Sequence, residues 1–255
     1  MLDSTQRFSG RVSHYERYRP TYPRAVLDVL ESQCGLSGSS VVADIGSGTG
    51  ILARLFLDRG LRVYGVEPNG EMREAGERLL AGYAHFTSVE GRGEATGLAD
   101  RCVDFVAVGQ AFHWFDPKGS RVEFQRILKP GGWVVLVWNW RRGGSTPFLA
   151  ALEELLTRLA PEYPLVRQKQ LDLNHIRSFF EPDDFRTVTL GNEQVLDYGG
   201  LEGLMRSASY MPVQGHPNHE PFFTELRSIY DAHQVGDRVI LEYDTVLYLG
   251  QLGFD

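Results

Sequence analysis

The residues with the clearest chemical purpose are Asp44-Ile45-Gly46-Ser47-Gly48-Thr49-Gly50, an acid followed by glycines at every second position. Glycine lets the backbone turn tightly and lets a ligand approach bare peptide groups, which any Cβ would prevent. Such a loop cradles a nucleotide-type cofactor. A dinucleotide needs a third Gly or Ala after two intervening residues, counted from Gly48, so that its pyrophosphate can sit on a helix N-terminus. Ile51 holds that place. The extra glycine at Gly50 and the acid at Asp44 suit a cofactor with an amine and no phosphate, such as S-adenosylmethionine; the loop alone leaves both cofactors open.

Further along, Glu67 in Val66-Glu67-Pro68-Asn69 is a carboxylate just under twenty residues past the glycines, where a ribose diol is held by one acceptor pair. Met72 follows at the start of a helix, on the side where a flat adenine would rest against its thioether. Glu94, in the glycine-rich loop Glu90 to Leu98, could meet the adenine edge together with backbone amides. His113, in Gly109-Gln110-Ala111-Phe112-His113-Trp114-Phe115-Asp116, is a candidate for general base or substrate contact, and equally for a packed pocket wall between Phe112 and Trp114. Arg19, Arg141 and Arg206 are candidate partners for a carboxylate acceptor.

These residues need a frame, and the apolar pattern supplies one. Val41–Ile45, Leu61–Val66, His85–Val89, Val103–Val108 and Trp133–Trp138 read as strands, alternating with helices that start near Ile51 and Asn69 and one that runs through Val122, Ile127 and Leu128. Alternation of this kind predicts a parallel sheet covered on both faces, with ligands beyond the carboxyl ends of the strands. Apart from Arg19 and Arg206, the chemical candidates sit at or just past such ends. Ahead of the first strand, residues 7–22 are aromatic and basic, which fits either a terminal segment packed on the domain or a lid. Thr146-Pro147 opens a helix that Pro161 and Pro164 should stop. Strand character returns at Phe185–Leu190 and Val239–Tyr248, expected to pair antiparallel, with a helical insert between them in which Leu201–Tyr230 caps the pocket mouth.

Bulk properties narrow the class. The 255 residues, 42% hydrophobic and 23% charged, describe an ordinary globular chain. A net charge of −7 disfavours a nucleic-acid partner, and the two cysteines, Cys34 and Cys102, lack metal-ligand spacing. Met1–Arg7 carries no apolar signal core and no run approaches the ~20 residues of a membrane span, so a cytoplasmic protein without membrane insertion is expected.

Taken together, the motifs resemble the class I S-adenosylmethionine-dependent methyltransferases, most closely the small-molecule, type 11 branch that includes trans-aconitate and ubiquinone/menaquinone methyltransferases. The resemblance runs from about Phe8 to Trp138. It rests on Asp44–Gly50, Val66-Glu67-Pro68, Gly91–Leu98 with Asp104-Phe105-Val106, Ala111–Asp116 with Leu128-Lys129-Pro130-Gly131-Gly132, and the lead-in Tyr15–Pro23. It implies an α/β fold: a Rossmann-like, seven-stranded, mainly parallel sheet with helices on both faces, a last antiparallel strand and a helical cap. One domain would span 1–255, with a core of about 36–140 and 185–255, an N-terminal lid at 1–35 and cap segments at about 145–180 and 198–235.

The resemblance also implies roles. Gly46, Ser47 and Gly48 would lie along the methionine part of the cofactor, with Asp44 below them and Glu67 on the ribose. Pro68 and Met72 would border the adenine, Glu94 and Ala95 its edge, and Gln110 the methionine moiety, while Tyr15 and Arg19 would reach the cofactor carboxylate. His113, Trp114, Arg206 and Tyr210 would face a small-molecule acceptor. The expected product is S-adenosylhomocysteine, with no metal, and the chain would act as a monomer or homodimer. Gln110-Ala111-Phe112-His113 departs from the Asp- or Asn-Pro-Pro-aromatic run of nucleic-acid amino-methyltransferases, which disfavours that class. A non-catalytic cofactor-binding relative and, less so, a nicotinamide-dependent oxidoreductase are the alternatives.

Overall fold

A computed structural model of the chain describes residues 17–170, 173–182 and 184–253. Among them, seven strands form one sheet in the order β3-β2-β1-β4-β5-β7-β6. The strands are β1 (Val41–Ile45), β2 (Arg62–Val66), β3 (Phe86–Val89), β4 (Val103–Gly109), β5 (Leu128–Arg141), β6 (Phe185–Leu196) and β7 (Val239–Gln251). The first five are parallel to their neighbours, and β7 runs antiparallel to both β5 and β6. Strand order reverses between β1 and β4. That crevice is where side chains and loops leave room for a ligand.

Both faces of the sheet are covered. On one lie α1 (Ala25–Cys34), α2 (Ile51–Leu57) and α3 (Gly70–Leu80), with Val26, Leu30, Phe56 and Leu80 packed on Val42, Val63 and Phe105. Asn69 caps α3 by accepting from the Met72 N–H, as its residue type predicts. On the other lie α4 (Pro117–Ile127) and α7 (Leu173–Phe180), whose Phe124, Ile127, Phe179 and Phe180 meet Phe112, Leu136 and Trp138.

A separate apolar cluster forms the cap. In it α5 (Pro147–Leu159), α6 (Tyr163–Gln170), α8 (Tyr198–Ser207) and α9 (His219–His233) bury Leu152, Tyr163, Leu204, Phe222 and Leu226 against Leu241 and Tyr243 of β7.

Three expectations change at this level. Pro164 does not stop a helix but sits in the first turn of α6, where its missing N–H costs nothing. Residues 173–180 belong to the sheet's own packing, not to the cap, because Ile176, Phe179 and Phe180 present one apolar stripe to α4 and β5. Within the stretch 1–35 expected as a lid, α1 is likewise part of the sheet core. The strands also run longer than their apolar runs: β5 reaches Arg141, where register with Tyr243 of β7 continues its ladder.

Candidate functional site

β1 delivers Asp44 to its carboxyl end and the chain then turns through Gly46 at φ 70°. A Cβ there would lie 2.7 Å from the Ala111 Cβ, so the turn admits only glycine. Gly46 and Ser47 both donate their N–H to the Val66 carbonyl, which fastens the loop to the end of β2. Asp44 is buried, and neither carboxylate oxygen has a hydrogen-bond partner. Burial pushes its pKa up to about 7, and the nearby Glu67 adds to the rise.

Glu67 is held differently. Its Oε2 accepts from the Gly48 N–H at 2.8 Å and its Oε1 from the Asn69 N–H at 2.9 Å. Burial raises its pKa against those two bonds and Arg73. A carboxylate has about four acceptor positions, so each oxygen keeps one for an incoming hydroxyl. Met72 is buried one helical turn on, and the Cε of its side chain would lie 3.3 Å from a Cβ on Gly48. Pro68 stands half-buried between Glu67 and the α3 cap.

The loops after β3 and β4 meet across the same crevice. Glu94 accepts the Asp116 N–H at 2.7 Å, while Ala95 is exposed in a short bridge with Arg92. The Phe115 ring stands between the two glycine loops. A Cβ on Gly93 would approach it to 2.8 Å and one on Gly46 to 3.3 Å. Phe115 was missed by the sequence reading, since an aromatic after a His-Trp pair carries no spacing signal of its own.

Two cavities lie at the carboxyl edge of the sheet and share Arg19, Pro20 and Gln110. The smaller is bounded by Tyr22, Asp44, Gly46 and Ser47. The larger, of about 190 Å³, lies under the cap and is lined among others by His113, Trp114, Arg141, Tyr163, Tyr210 and Tyr243. Gln110 stands at the junction with φ 59°, a strained conformation for a residue with a side chain. It is locked there by its own N–H on Val137 O and its Nε2 on Asn139 O. The His113 ring lies tilted against Trp114, centroids 4.6 Å apart.

The segment from Tyr18 to Tyr22 crosses this junction, tied down by donors from three directions. Asn139 and Asn192 both donate to Thr21 O, Gln194 donates to Tyr18 O, and Arg19 donates to Ser207 O. Tyr15 lies outside the described residues.

The structure therefore gathers Asp44, Gly46, Ser47, Gln110 and Arg19 around one cavity, with Gly48 joined to them through Glu67. It places His113, Trp114 and Tyr210 around the other. Arg206 is a correction: it is not among the residues lining either cavity. Its Nε and Nη2 both donate to the Oε1 of Glu202, one turn earlier in α8, and its guanidinium lies over the Phe223 ring. Asn139, Trp140, Tyr163, Arg167 and Tyr243 line the larger cavity without having been expected there. They come from three separate elements, and only the long pairing of β5 with β7 and the docking of α6 bring them together.

Comparison with known proteins agrees with this geometry. Residues 43–136 match the methyltransferase domain family. An uncharacterized methyltransferase of Schizosaccharomyces pombe is 30% identical over 242 residues, covering 94% of this chain and 95% of its own. The chain belongs to the class I S-adenosylmethionine-dependent methyltransferases. An uncharacterized methyltransferase of Mycobacterium tuberculosis is 39% identical over 139 residues, and the match spans only about half of its length, 54% of each chain. A solved structure described as a type II methyltransferase from Anaeromyxobacter dehalogenans overlays with a TM-score of 0.67 at 21% identity, covering 91% of this chain and 97% of the other, and so shares the fold.

The methyltransferase cofactor fits the residues present. Asp44 offers two buried oxygens without partners, Glu67 offers spare acceptor positions, and the Gly46 turn leaves peptide groups bare. Among the described residues no group of three or more His, Cys, Asp or Glu is placed to hold a metal ion, and no helix is long and apolar enough to cross a membrane.

Proposed function

We propose that this methyltransferase transfers the methyl group of S-adenosylmethionine to a small-molecule acceptor lodged in the cavity under the cap. The observation that carries this reading is the sharing of Arg19, Pro20 and Gln110 by two adjoining cavities. One reaches the glycine turn and the buried Asp44, and the other is lined largely by aromatic and cationic side chains. When bound, the cofactor supplies an electrophilic methyl on a sulfonium.

The chain's own residues do the rest. Asp44 and the Gly46–Gly48 backbone hold the methionine end, Glu67 takes the ribose hydroxyls, and Pro68, Met72, Glu94 and Ala95 border the adenine. Arg19, reaching down from the strap above, is placed for the cofactor carboxylate. Gln110, held rigid by two backbone bonds, fixes the level at which cofactor and acceptor meet, and such positioning is worth more here than acid–base help. His113 and Trp114 form the acceptor side of that meeting point. His113 is placed to take the proton that a hydroxyl or carbon acceptor releases, a role a carboxylate acceptor would not need. The whole of 1–255 would act as one domain.

Isothermal titration with S-adenosylmethionine and, in parallel, NADH tests the reading. Micromolar binding of the first is expected, weakened about 10- to 100-fold in Glu67→Ala because charged hydrogen bonds contribute about 1.5–3 kcal/mol. Binding of NADH instead, or of neither ligand, would overturn it.

A further inference from the structure

The larger cavity has an unbalanced charge. Among the described residues, its walls include Arg19, Arg141 and Arg167 and no acidic side chain. Behind the wall, one carboxylate, Glu153, serves two of them: Arg141 Nη2 bonds Glu153 at 3.2 Å, and Arg167 forms an ion pair with the other oxygen. Tyr163 donates to the same Glu153 at 2.7 Å and accepts from Arg141 at 2.8 Å. Arg141 is only 12% exposed, yet its buried Nε has no hydrogen-bond partner. A guanidinium in the wall of a half-enclosed site, whose one counter-ion is shared with a second arginine, is stabilised by an incoming anion, and a carboxylate matches its planar fork. The phenols of Tyr163, Tyr210 and Tyr243 surround the place that anion would take, and Trp114 and Trp140 supply flat apolar walls.

Position along the sheet decides what the anion does. Gln110 bonds the carbonyl of Asn139, and Arg141 stands two residues further along β5, roughly 7 Å beyond the level of the cofactor contact. That spacing along the strand is comparable to the span of a para-substituted six-membered ring measured from its carboxylate to the opposite substituent.

Resting on the methyltransferase reading above, we propose that the acceptor is a small planar organic acid whose carboxylate is an anchor on Arg141, with the methylated atom at the other end, beside Gln110 and His113. The acid group is recognised and leaves the reaction unmodified.

The test is titration calorimetry with phenylacetate, 4-hydroxyphenylacetate and 4-hydroxybenzoate, each against its primary amide, with and without S-adenosylhomocysteine. The acids are expected to bind at least tenfold more tightly than the amides. Arg141→Gln should remove that preference while S-adenosylhomocysteine affinity stays within twofold. Tyr210→Phe, which leaves every ion pair intact, should lower acid affinity a few-fold and covers the case in which Arg141→Gln does not fold. Equal binding of acids and amides, no binding of any acid in the panel, or unchanged acid affinity in a folded Arg141→Gln would overturn the proposal. Failure of S-adenosylhomocysteine to bind strikes the methyltransferase reading alone, because the acid–amide contrast is read without cofactor too.

Discussion

The two cavities that meet at Gln110 are built by different means. The side proposed for the cofactor is local: β1, its glycine turn and the end of β2 supply Asp44, Gly46, Ser47, Gly48 and Glu67 within about twenty-five residues, and its glycines leave peptide groups bare. The acceptor side is assembled from the ends of β4 and β5, from α6 and α8 and from β7, and its surface is side chains. Backbone walls admit one shape and forbid most substitutions. Side-chain walls can be changed one residue at a time, so the acceptor end is where such an enzyme can change its substrate without losing its cofactor.

That contrast can be broken most severely at Gly46. Gly46→Val forces a β-branched residue into φ 70° and against Ala111, and strain of this kind costs about 1–3 kcal/mol before the clash is counted. Cofactor binding is expected to fall more than 100-fold by titration calorimetry. A variant that bound normally would show that the turn is not the cofactor wall.

A smaller effect, near tenfold, should appear with pH. Asp44 has its pKa raised to about 7, so below that value it is protonated and cannot serve a cationic ligand. S-adenosylmethionine should bind about tenfold more tightly at pH 8 than at pH 6, since each unit below the pKa costs up to about tenfold in the ionised fraction. Glu67 is also shifted upward, so Asp44→Asn is the control that assigns the slope. The same shift sets stability. An acid whose folded pKa lies above its unfolded one destabilises the fold progressively as pH rises from about 4 to about 7, and fully above that. Asp44→Asn should therefore raise the melting temperature of the cofactor-free protein at pH 8, by the equivalent of about 1–3 kcal/mol, and leave it unchanged near pH 4. An equal gain at both pH values would refute the titration of Asp44.

The smallest effect sharpens the acceptor side. Arg206→Ala should leave both cofactor and organic-acid affinity within twofold and cost about 0.5 kcal/mol of stability, as a half-exposed helical ion pair does. A tenfold loss of acid affinity would return Arg206 to the cavity.

The difference between the two regions is also a difference in how far each could be read without coordinates. The sheet, the caps at Asn69 and Thr146, the antiparallel β7 and the placing of Asp44, Gly46 and Glu67 at strand ends all follow from short-range patterns of period, cap and turn. Side-chain direction and distant packing are less legible. Arg206 looked like an acceptor contact because it stands near Tyr210, but helical geometry gives its guanidinium to Glu202 and Phe223. Phe115 and Tyr243 gave no signal, because an aromatic residue reads the same whether it fills a core or lines a cavity.

What the sequence determined by itself is the cofactor half: alternation of apolar runs and helices dictates a parallel sheet, and an acid followed by spaced glycines at the end of its first strand dictates a backbone-lined loop. Only the tertiary structure decided the acceptor half. Which of the arginines faces the cavity depends on the register of β5 with β7, which carries Arg141 beside Tyr243, and on the docking of α5 and α6, which sets Glu153 between Arg141 and Arg167. The physical reason is range. Turns, caps and periodicity act over a few residues, whereas the balance of charge in a cavity is a sum over side chains that the chain brings together from more than a hundred residues apart.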